Sequence, residues 1–419
     1  MNKYLSALFL FIIFLGIYYF GSFSKIPFAD CVGFVLDAEK GIWATNATAT
    51  SHFLYINTVI FIKNLTGMNA IEASRFLVVS SSAATVSIIY LTVKNISKTE
   101  WASLTAAFVF GFSFSFWRNA EIVEVYTYNS LWVSLFFFSV IKSFVENKRI
   151  YILLSSLFLG ISLWVHIQNI LLIPSLLVFL FYFRNEKKYV AASLLTFTVL
   201  FGSLFILNIS QGLPFNSPYS SDQGTWVEDS LKKSTIQYVK DFFQSLVYLI
   251  YNFNLFTFFG VAGMLLLYKT NKKMFFVFTV GAICVYGFST FYAVSDNYVF
   301  FLPFNIIFAL SIGYGLSSAE YAHLRKFSWT CLLIPVGYLL FYKVALLTEK
   351  GKEFHAFKEY KGGLDYYALP WMNNNVGILE FTIGKKQAPE PIDWMTISAV
   401  EYIRVLKSKG YTEEQIRKL

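Results

Sequence analysis

The chain has 419 residues, of which 56% are hydrophobic, 20% are aromatic and only 14% are charged. With its positive mean hydropathy, this composition excludes an ordinary soluble globular protein and indicates a polytopic membrane protein. The net charge of +9 does not indicate nucleic-acid binding, because Lys and Arg fall in short clusters between apolar runs rather than on one basic face.

The first apolar segment, residues 4–22, follows the short start MNK. No small-x-small cleavage site follows it and many further apolar segments do, so we expect an uncleaved transmembrane helix rather than a signal peptide. With about 20 apolar residues for each crossing, the sequence predicts an all-α fold with eleven transmembrane helices. These are residues 4–22, 74–93, 101–117, 122–142, 150–165, 168–183, 189–208, 243–268, 274–293, 298–317 and 327–347.

Residues 53–62 (FLYINTVIFI) are also apolar, but they are too few to cross a membrane and are followed by Lys63 and Asn64. We therefore expect an interfacial or re-entrant helix here. With this choice and a cytoplasmic N-terminus, every cytoplasmic loop is basic, as the positive-inside rule requires. The outer loops are then residues 23–73, 118–121, 166–167, 209–242 and 294–297, and the C-terminus lies outside.

Residues 348–419 follow the predicted transmembrane domain, residues 1–347. They contain a Pro-containing stretch, QAPEPIDW, and a predicted amphipathic helix around ISAVEYIRVLKSKG. This tail is predicted to be a small soluble module on the extracytoplasmic face of the membrane.

The polar residues that need an explanation in so apolar a chain lie mostly at the predicted outer face. They are Asp30, Asp37, Glu39, Arg118, Glu121, Glu124, His166 and Asp296. Random loop residues would be divided between the two faces, whereas the cytoplasmic loops carry only scattered acids among their lysines. These residues therefore indicate one shared site.

Each of these residues also has a structural interpretation. Asp30 fits a solvated loop acid or a helix N-cap, Arg118 an interfacial anchor, and His166 a structural hydrogen bond. Asp296 fits a turn residue in the sequence SDN. The remaining loop acids, Asp37 and Glu39, fit solvated side chains better than functional ones.

Glu121 and Glu124 are three residues apart, so on a helix they would share one face with Tyr128. A carboxylate within a span-forming segment is costly, which favours a functional role for Glu124, the deeper of the two. Glu121 is the residue that we would most readily assign to solvent.

Several catalytic and binding motifs are missing from the sequence. It has no Gly-rich phosphate loop, no HExxH and no GxSxG, which argues against a nucleotide-driven transporter and a membrane serine hydrolase. The three cysteines, Cys31, Cys284 and Cys331, lie far apart without a CxxC pair, so neither a zinc site nor a disulfide framework is expected.

Five motifs follow one another along the chain. They are FAD at 28–30, SHFLY at 51–55, FW at 116–117 with AEIVEVY at 120–126, the GxxLxxH of Gly160 to His166, and VSDxYxFFLP at 294–303. In their order and spacing they resemble the membrane glycosyltransferases of the C-type (GT-C) fold. The resemblance covers roughly residues 1–320 and is greatest to the plexin-type protein O-mannosyltransferases and their bacterial relatives. The chain departs from the family at Asp30, where DCVG replaces the usual DxGE, and at His52, which precedes Phe53 rather than proline.

The resemblance implies transfer of mannose or a similar hexose from a polyprenyl phosphate carrier to an acceptor hydroxyl on the outer face. The acceptor would be a protein Ser or Thr, or an envelope glycan or lipid. The site faces away from cytoplasmic nucleotide sugars, which agrees with a lipid-linked donor. No cofactor is expected, and a divalent metal, although compatible with the acids, is not required when Arg and His hold a monophosphate leaving group.

This chemistry needs a base for the acceptor hydroxyl, and we assign that role to Asp30. Glu124 is the second predicted catalytic residue, which orients Arg118 or places the acceptor. Arg118 and His166 are the candidates for the phosphate, since Arg can grip it with two hydrogen bonds. Further predicted substrate-binding residues are Glu121, Tyr128, His52 and Asp296, and no metal ligand is predicted.

Two other function classes remain open at this point. A secondary transporter or lipid flippase would place ionisable residues near mid-membrane on interrupted helices in pseudo-symmetric halves, whereas these crowd one interface and no repeat is visible. A structural subunit of an envelope-assembly complex would use the charges to contact a partner. The absence of a C-terminal retention signal favours a bacterial plasma (inner) membrane.

Overall fold

The structure, a computed structural model, describes residues 2–21, 25–28, 30–220, 225–294, 296–371 and 375–419, except for the side chains of residues 319–321. In these residues all regular structure is helical. The α-helices are α1 Lys3–Phe20, α2 Cys31–Lys40, α3 Phe53–Thr66, α4 Ala70–Ser97, α5 Glu100–Gly111, α6 Phe114–Ala120, α7 Tyr126–Glu146, α8 Ile150–Val165, α9 Ile173–Tyr182, α10 Lys187–Ser210, α11 Trp226–Leu231, α12 Thr235–Phe253, α13 Thr257–Thr270, α14 Lys272–Phe291, α15 Leu302–Leu316, α16 Ile334–Leu347, α17 Glu349–Phe357, α18 Gly363–Ala368, α19 Ile378–Ile383, α20 Asp393–Ser408 and α21 Glu413–Arg417. The 3-10 helices are Ile167–Leu172, Ser217–Tyr219, Asn254–Phe256, Asn297–Phe301, Ala319–Leu333 and Glu359–Lys361.

Within the described ranges, eight helical segments are long and apolar enough to cross a membrane. They are Lys3–Phe20, Ala70–Ser97, Tyr126–Glu146, Lys187–Ser210, Thr235–Thr270, Lys272–Phe291, Asn297–Leu316 and Ala322–Leu347. The chain is therefore an all-α, multi-pass membrane protein, as predicted.

The predicted count of eleven spans is not confirmed. Predicted spans 150–165 and 168–183 correspond to shorter apolar helices, Ile150–Val165 and Ile167–Tyr182. Predicted span 101–117 is interrupted, because Ser113 has an extended backbone (φ −62°, ψ 138°) that separates α5 from α6. An apolar run in the sequence thus contains a turn that hydropathy alone does not reveal.

The first predicted outer loop is largely helical. It contains α2 and α3, and α4 already begins at Ala70. The apolar segment at 53–62 lies in α3, whose 14 residues are too few for a full crossing. Helix α3 packs against α2, α4 and α8, and its interfacial position remains a prediction.

The C-terminal tail packs on the first loop and shares a hydrophobic core with it. This core combines residues of α2, α3 and the start of α4 with Ile378, Tyr402 and Ile416 from the tail. Backbone hydrogen bonds join Ile26 N–H to the Leu419 carbonyl (2.7 Å) and Ile378 N–H to the Ile26 carbonyl (2.9 Å). The predicted domain division after residue 347 stays a prediction, but the two parts meet in one packed layer.

Ion pairs close the edge of this layer. Lys25 pairs with Glu380 at 2.6 Å, and Glu39 pairs with Lys409. The expectation that Glu39 is solvated is wrong, because its side chain is only 6% exposed and its Oε2 accepts from Ala70 N–H at 2.9 Å. Glu39 thereby joins α2, α4 and the tail, which is a structural role.

Two membrane helices approach each other through glycines. A Cβ atom placed on Gly263 of α13 would lie 1.8 Å from the Ser311 carbonyl oxygen of α15, and one on Gly315 of α15 would lie 2.3 Å from the Phe259 carbonyl oxygen. Small residues allow such close backbone contact between membrane helices. The position of α15 depends on this contact.

We expect Gly263→Ala to separate α13 from α15 and to destabilise the protein by about 1–3 kcal/mol, as overpacking does. Thermal unfolding in detergent measures this as a lower midpoint. The control is Gly287→Ala in α14, where a Cβ meets nothing within 4 Å, so that its midpoint stays at or above that of the wild type. Equal midpoints for both variants would contradict the predicted contact.

Candidate functional site

The segment that carries Arg118, Glu121 and Glu124 is not one helix. Arg118 lies in α6, the chain then turns through residues 121–125, and α7 begins at Tyr126. The expected common helix face of Glu121, Glu124 and Tyr128 is therefore wrong, because the turn points these side chains in different directions. Glu124 precedes α7 rather than lying within it.

Arg118 is a buried cation that contacts the C-terminal tail. Its side chain is 5% exposed, and Nη1 donates to the carbonyl of Tyr366 and, at 3.5 Å, to that of Leu369. The Tyr366 ring lies under the guanidinium, with its centroid 4.5 Å from Cζ. Among the described residues no carboxylate forms an ion pair with Arg118. A buried guanidinium that donates hydrogen bonds to neutral carbonyls retains its positive charge for an incoming anion.

Asp30 and Glu124 meet at the start of α2. Asp30 occupies the N-cap position of α2, but its side chain makes no capping hydrogen bond and is exposed. The next residue, Cys31, donates its thiol to Glu124 Oε1 at 3.4 Å. Repulsion between Asp30 and Glu124 shows that the two carboxyl groups share one environment.

The pKa of Asp30 is raised to about 6, firstly because surrounding protein disfavours its charge and secondly because Asp296 repels it. Although the side chain is exposed, protein atoms lie close enough around the carboxyl group to have this effect. A carboxylate with such a pKa is a stronger base than an ordinary aspartate.

Asp296 is exposed and lies in the turn before the 3-10 helix Asn297–Phe301. The structure brings it to the same cluster: it repels Asp30 and is attracted by Arg118 and Lys361. Tyr298, two residues further on, lies close enough to Arg118 for the guanidinium to favour its ionised form. Asp296 thus lies between the acids and the cations.

His52 and His166 form a pair beside this cluster, with ring centroids 5.0 Å apart. His52 Nδ1 lies 3.3 Å from the Val165 carbonyl, and His166 Nδ1 accepts from Gln168 N–H at 3.3 Å. Burial lowers the pKa of His52 to about 4 and, with repulsion from His52, lowers the pKa of His166. His166 is therefore neutral near pH 7, and with Nδ1 as acceptor its proton lies on Nε2, which can donate a hydrogen bond.

Tyr128 and Glu121 lie apart from the charged cluster. The Tyr128 hydroxyl is 3.4 Å from Thr58 Oγ1, and its ring packs near Trp132. Glu121 is fully buried and accepts from the indole N–H of Trp117. The expectation that Glu121 is solvated is wrong, since it fills the contact between α6 and the end of α1.

The sequence alone did not indicate the tail as part of this site. Lys361 ends the 3-10 helix Glu359–Lys361 and is 9% exposed. The two glycines that follow, Gly362 and Gly363, have positive φ angles of 113° and 72°, which turn the chain into α18 and towards Arg118. The sequence Lys-Gly-Gly was the local signal that could have indicated this turn.

Within the described residues, no group of three or more His, Cys, Asp or Glu is arranged to hold a metal ion.

Comparisons with known proteins agree with the resemblance noted in the sequence. Residues 13–190 match the family model of the protein O-mannosyl-transferase TMEM260 N-terminal domain. The fold is similar to the crystal structure of ArnT from Cupriavidus metallidurans in the apo state, with a TM-score of 0.57 and 13% identity over 98% of this chain and 76% of that chain. The crystal structure of the same protein bound to undecaprenyl phosphate has a TM-score of 0.53 and 11% sequence identity, again over 98% of this chain and 76% of that chain. No curated protein sequence matches.

The predicted resemblance and fold class are confirmed: the chain has an all-α membrane fold similar to that of GT-C glycosyltransferases. The match to the family model and the shared fold support a membrane glycosyltransferase. The roles of the individual site residues remain predictions.

We expect Glu121→Ala to destabilise the protein by about 1–3 kcal/mol, because it leaves the buried Trp117 indole N–H without its acceptor. Thermal unfolding of Glu121→Ala, Trp117→Phe and the double variant measures the coupling. The double variant should lose less stability than the sum of the two single ones. Strict additivity would show that the hydrogen bond contributes nothing.

Proposed function

We propose that this chain transfers mannose or a similar hexose from a polyprenyl phosphate carrier to an acceptor hydroxyl. The observation that carries the proposal is that one cluster holds both Asp30, an exposed carboxyl with a pKa of about 6, and Arg118, a buried cation that forms no ion pair among the described residues. Asp296 links them, since it repels Asp30 and is attracted by Arg118. This cluster supplies a base for an alcohol and a binding group for a phosphate. The family match and the fold similarity to ArnT, which binds undecaprenyl phosphate in one structure, support the same donor class.

Asp30 takes the proton of the acceptor hydroxyl as its oxygen attacks the anomeric carbon. Repulsion from Asp296 and the surrounding protein make the Asp30 carboxylate more basic, and this helps with a proton that is held as tightly as that of an alcohol. Glu124, held by the Cys31 thiol next to Asp30, places the acceptor. It does not hold Arg118, which is bound by tail carbonyls.

Arg118 binds the phosphate and stabilises the charge of the leaving lipid phosphate. His166 is neutral, so it contributes a hydrogen bond from Nε2 rather than a charge. His52 lies against His166 and fixes its ring. Glu121 and Tyr128, both placed in packing contacts, are assigned no direct contact with substrate in this mechanism.

The acceptor is a Ser or Thr hydroxyl of a protein, or a hydroxyl of an envelope glycan or lipid. The site lies on the extracytoplasmic face of a bacterial plasma membrane in this proposal, since the basic clusters of the sequence lie in the opposite loops. The first loop and the tail pack together in one hydrophobic core, and the tail contacts Arg118 through the carbonyls of Tyr366 and Leu369. In this proposal they form the cover of the site.

A transporter or flippase would move a lipid-linked sugar without breaking the bond between sugar and phosphate. Purified protein incubated with radiolabelled polyprenyl phosphate sugars, with and without cell-envelope acceptors, distinguishes the two functions. We expect release of the free carrier lipid that depends on an acceptor. Movement of the intact donor across the vesicle membrane without release of the carrier lipid would refute the proposed glycosyltransferase function.

We expect Asp30→Asn to abolish transfer while the protein stays folded, because an amide cannot accept the proton. In the wild type, Asp30 acts only when ionised, so the rate should fall about tenfold per pH unit below pH 6 and level off above it. Rates from pH 4.5 to 8 measure this. The control is Asp37→Asn in α2, the helix that Asp30 precedes; this variant should keep the wild-type rate. An active Asp30→Asn enzyme would refute the assignment.

We expect Arg118→Lys to lose at least about tenfold in transfer rate, although the charge is kept, because lysine cannot reproduce the planar guanidinium contacts. The matched control is Arg75→Lys. Arg75 also donates to a carbonyl, that of Tyr19, and lies over the Tyr19 ring, but it is not part of the acid cluster. A near-normal rate for Arg118→Lys would make Arg118 an anchor only.

A further inference from the structure

Lys361 belongs to a group of side chains in which two lysines share one carboxylate. It lies 3.4 Å from Glu390 Oε1, and Lys358 pairs with the same carboxylate. The hydroxyl of Tyr360 donates to Glu390 as well. One carboxylate therefore serves two lysines, and the net charge of these three side chains is about +1.

Lys361 also reaches the segment that carries Asp30. Its Nζ lies 5.7 Å from the centre of the Phe28 ring, and the Phe28 carbonyl accepts from the Tyr366 hydroxyl at 3.2 Å. The Tyr366 ring in turn lies under Arg118. Phe28, two residues before Asp30, therefore links Lys361 to Tyr366 and through it to Arg118.

Lys361 and Arg118 act electrostatically on the same acidic residue, Asp296. Both attract Asp296. Burial lowers the pKa of Lys361, Glu390 opposes this shift, and repulsion from Lys358 and Arg118 adds to it. Because Lys361 shares the Glu390 carboxylate with Lys358, its ammonium has room for a further counter-charge. An anion that enters between Lys361 and Arg118 would supply it.

Building on the proposed function, we propose that Lys361 of the C-terminal tail is the second cation of the donor site. It binds the phosphate of the polyprenyl carrier together with Arg118. It stabilises, above all, the second negative charge that the phosphate acquires as the sugar leaves.

The charge balance of the reaction explains why a second cation is needed. The donor is a phosphodiester with one negative charge. As the acceptor oxygen bonds to the anomeric carbon, the bond from that carbon to the phosphate oxygen breaks, and its electron pair stays on the phosphate. The acceptor proton moves to Asp30, and the released monoester carries a second negative charge. Arg118 matches the first charge and Lys361 the second.

Binding of carrier lipids tests this without any need for turnover. Full-length protein in phosphatidylcholine nanodiscs is titrated at pH 8 with undecaprenyl phosphate, a dianion there, and with its methyl phosphodiester, a monoanion. We expect Lys361→Met to weaken binding of the monoester at least tenfold and of the diester less than threefold. Lys358→Met, which also loses an ion pair with Glu390, should leave both affinities unchanged.

The outcomes separate this inference from the proposed function. Equal loss for both lipids, or no loss, would overturn the role of Lys361. A wild-type protein that binds neither lipid would refute the donor site itself, and with it the proposed function. If Lys361→Met does not fold, Lys361→Arg, which keeps the charge, and Lys361→Gln are compared instead. Retained monoester binding in Lys361→Arg and loss in Lys361→Gln are then expected, and equal binding in the two would overturn the inference.

Discussion

The burial of the Arg118 guanidinium, which forms no ion pair among the residues that the structure describes, is the constraint on which the arrangement of this site depends. Arg118 is almost fully removed from solvent, and such a cation is tolerated only where hydrogen-bond acceptors surround it. The carbonyls of Tyr366 and Leu369 and the face of the Tyr366 ring meet this need. The membrane part therefore requires the tail, and the tail is held over the site.

The same contact joins three distant parts of the sequence. Tyr366 binds Arg118 of α6 on one side and the Phe28 carbonyl of the first loop on the other. The backbone bonds of Ile26 and the buried Glu39 hold that loop against α4 and the tail. Asp30 is thereby brought to Glu124 and Arg118, so that acids and cations meet at one edge of the membrane bundle.

The acids and the cations of the cluster differ in their electrostatic environment, and this difference suits group transfer. Burial and mutual repulsion favour protonation of the acids. Of the cations, Lys361 shares one carboxylate with Lys358, and Arg118 forms no ion pair within the described part of the chain. The nearby histidines are neutral because their pKa values are lowered. A ligand that delivers an anion to Arg118 and a hydroxyl to Asp30 would satisfy both imbalances at once, which is the physical basis of the proposed function.

The sequence by itself determined the membrane class, the all-α fold, the GT-C resemblance and the grouping of Asp30, Arg118, Glu124, His166 and Asp296, because hydropathy and local motifs record these. It did not determine the break at Ser113, the turn at 121–125, the burial of Glu39 and Glu121, or the neutrality of the histidines. Those depend on contacts between residues far apart in the chain. Only the tertiary structure placed Tyr366 of the tail at Arg118 and Lys361 near it, since no local pattern encodes a partner 248 residues away.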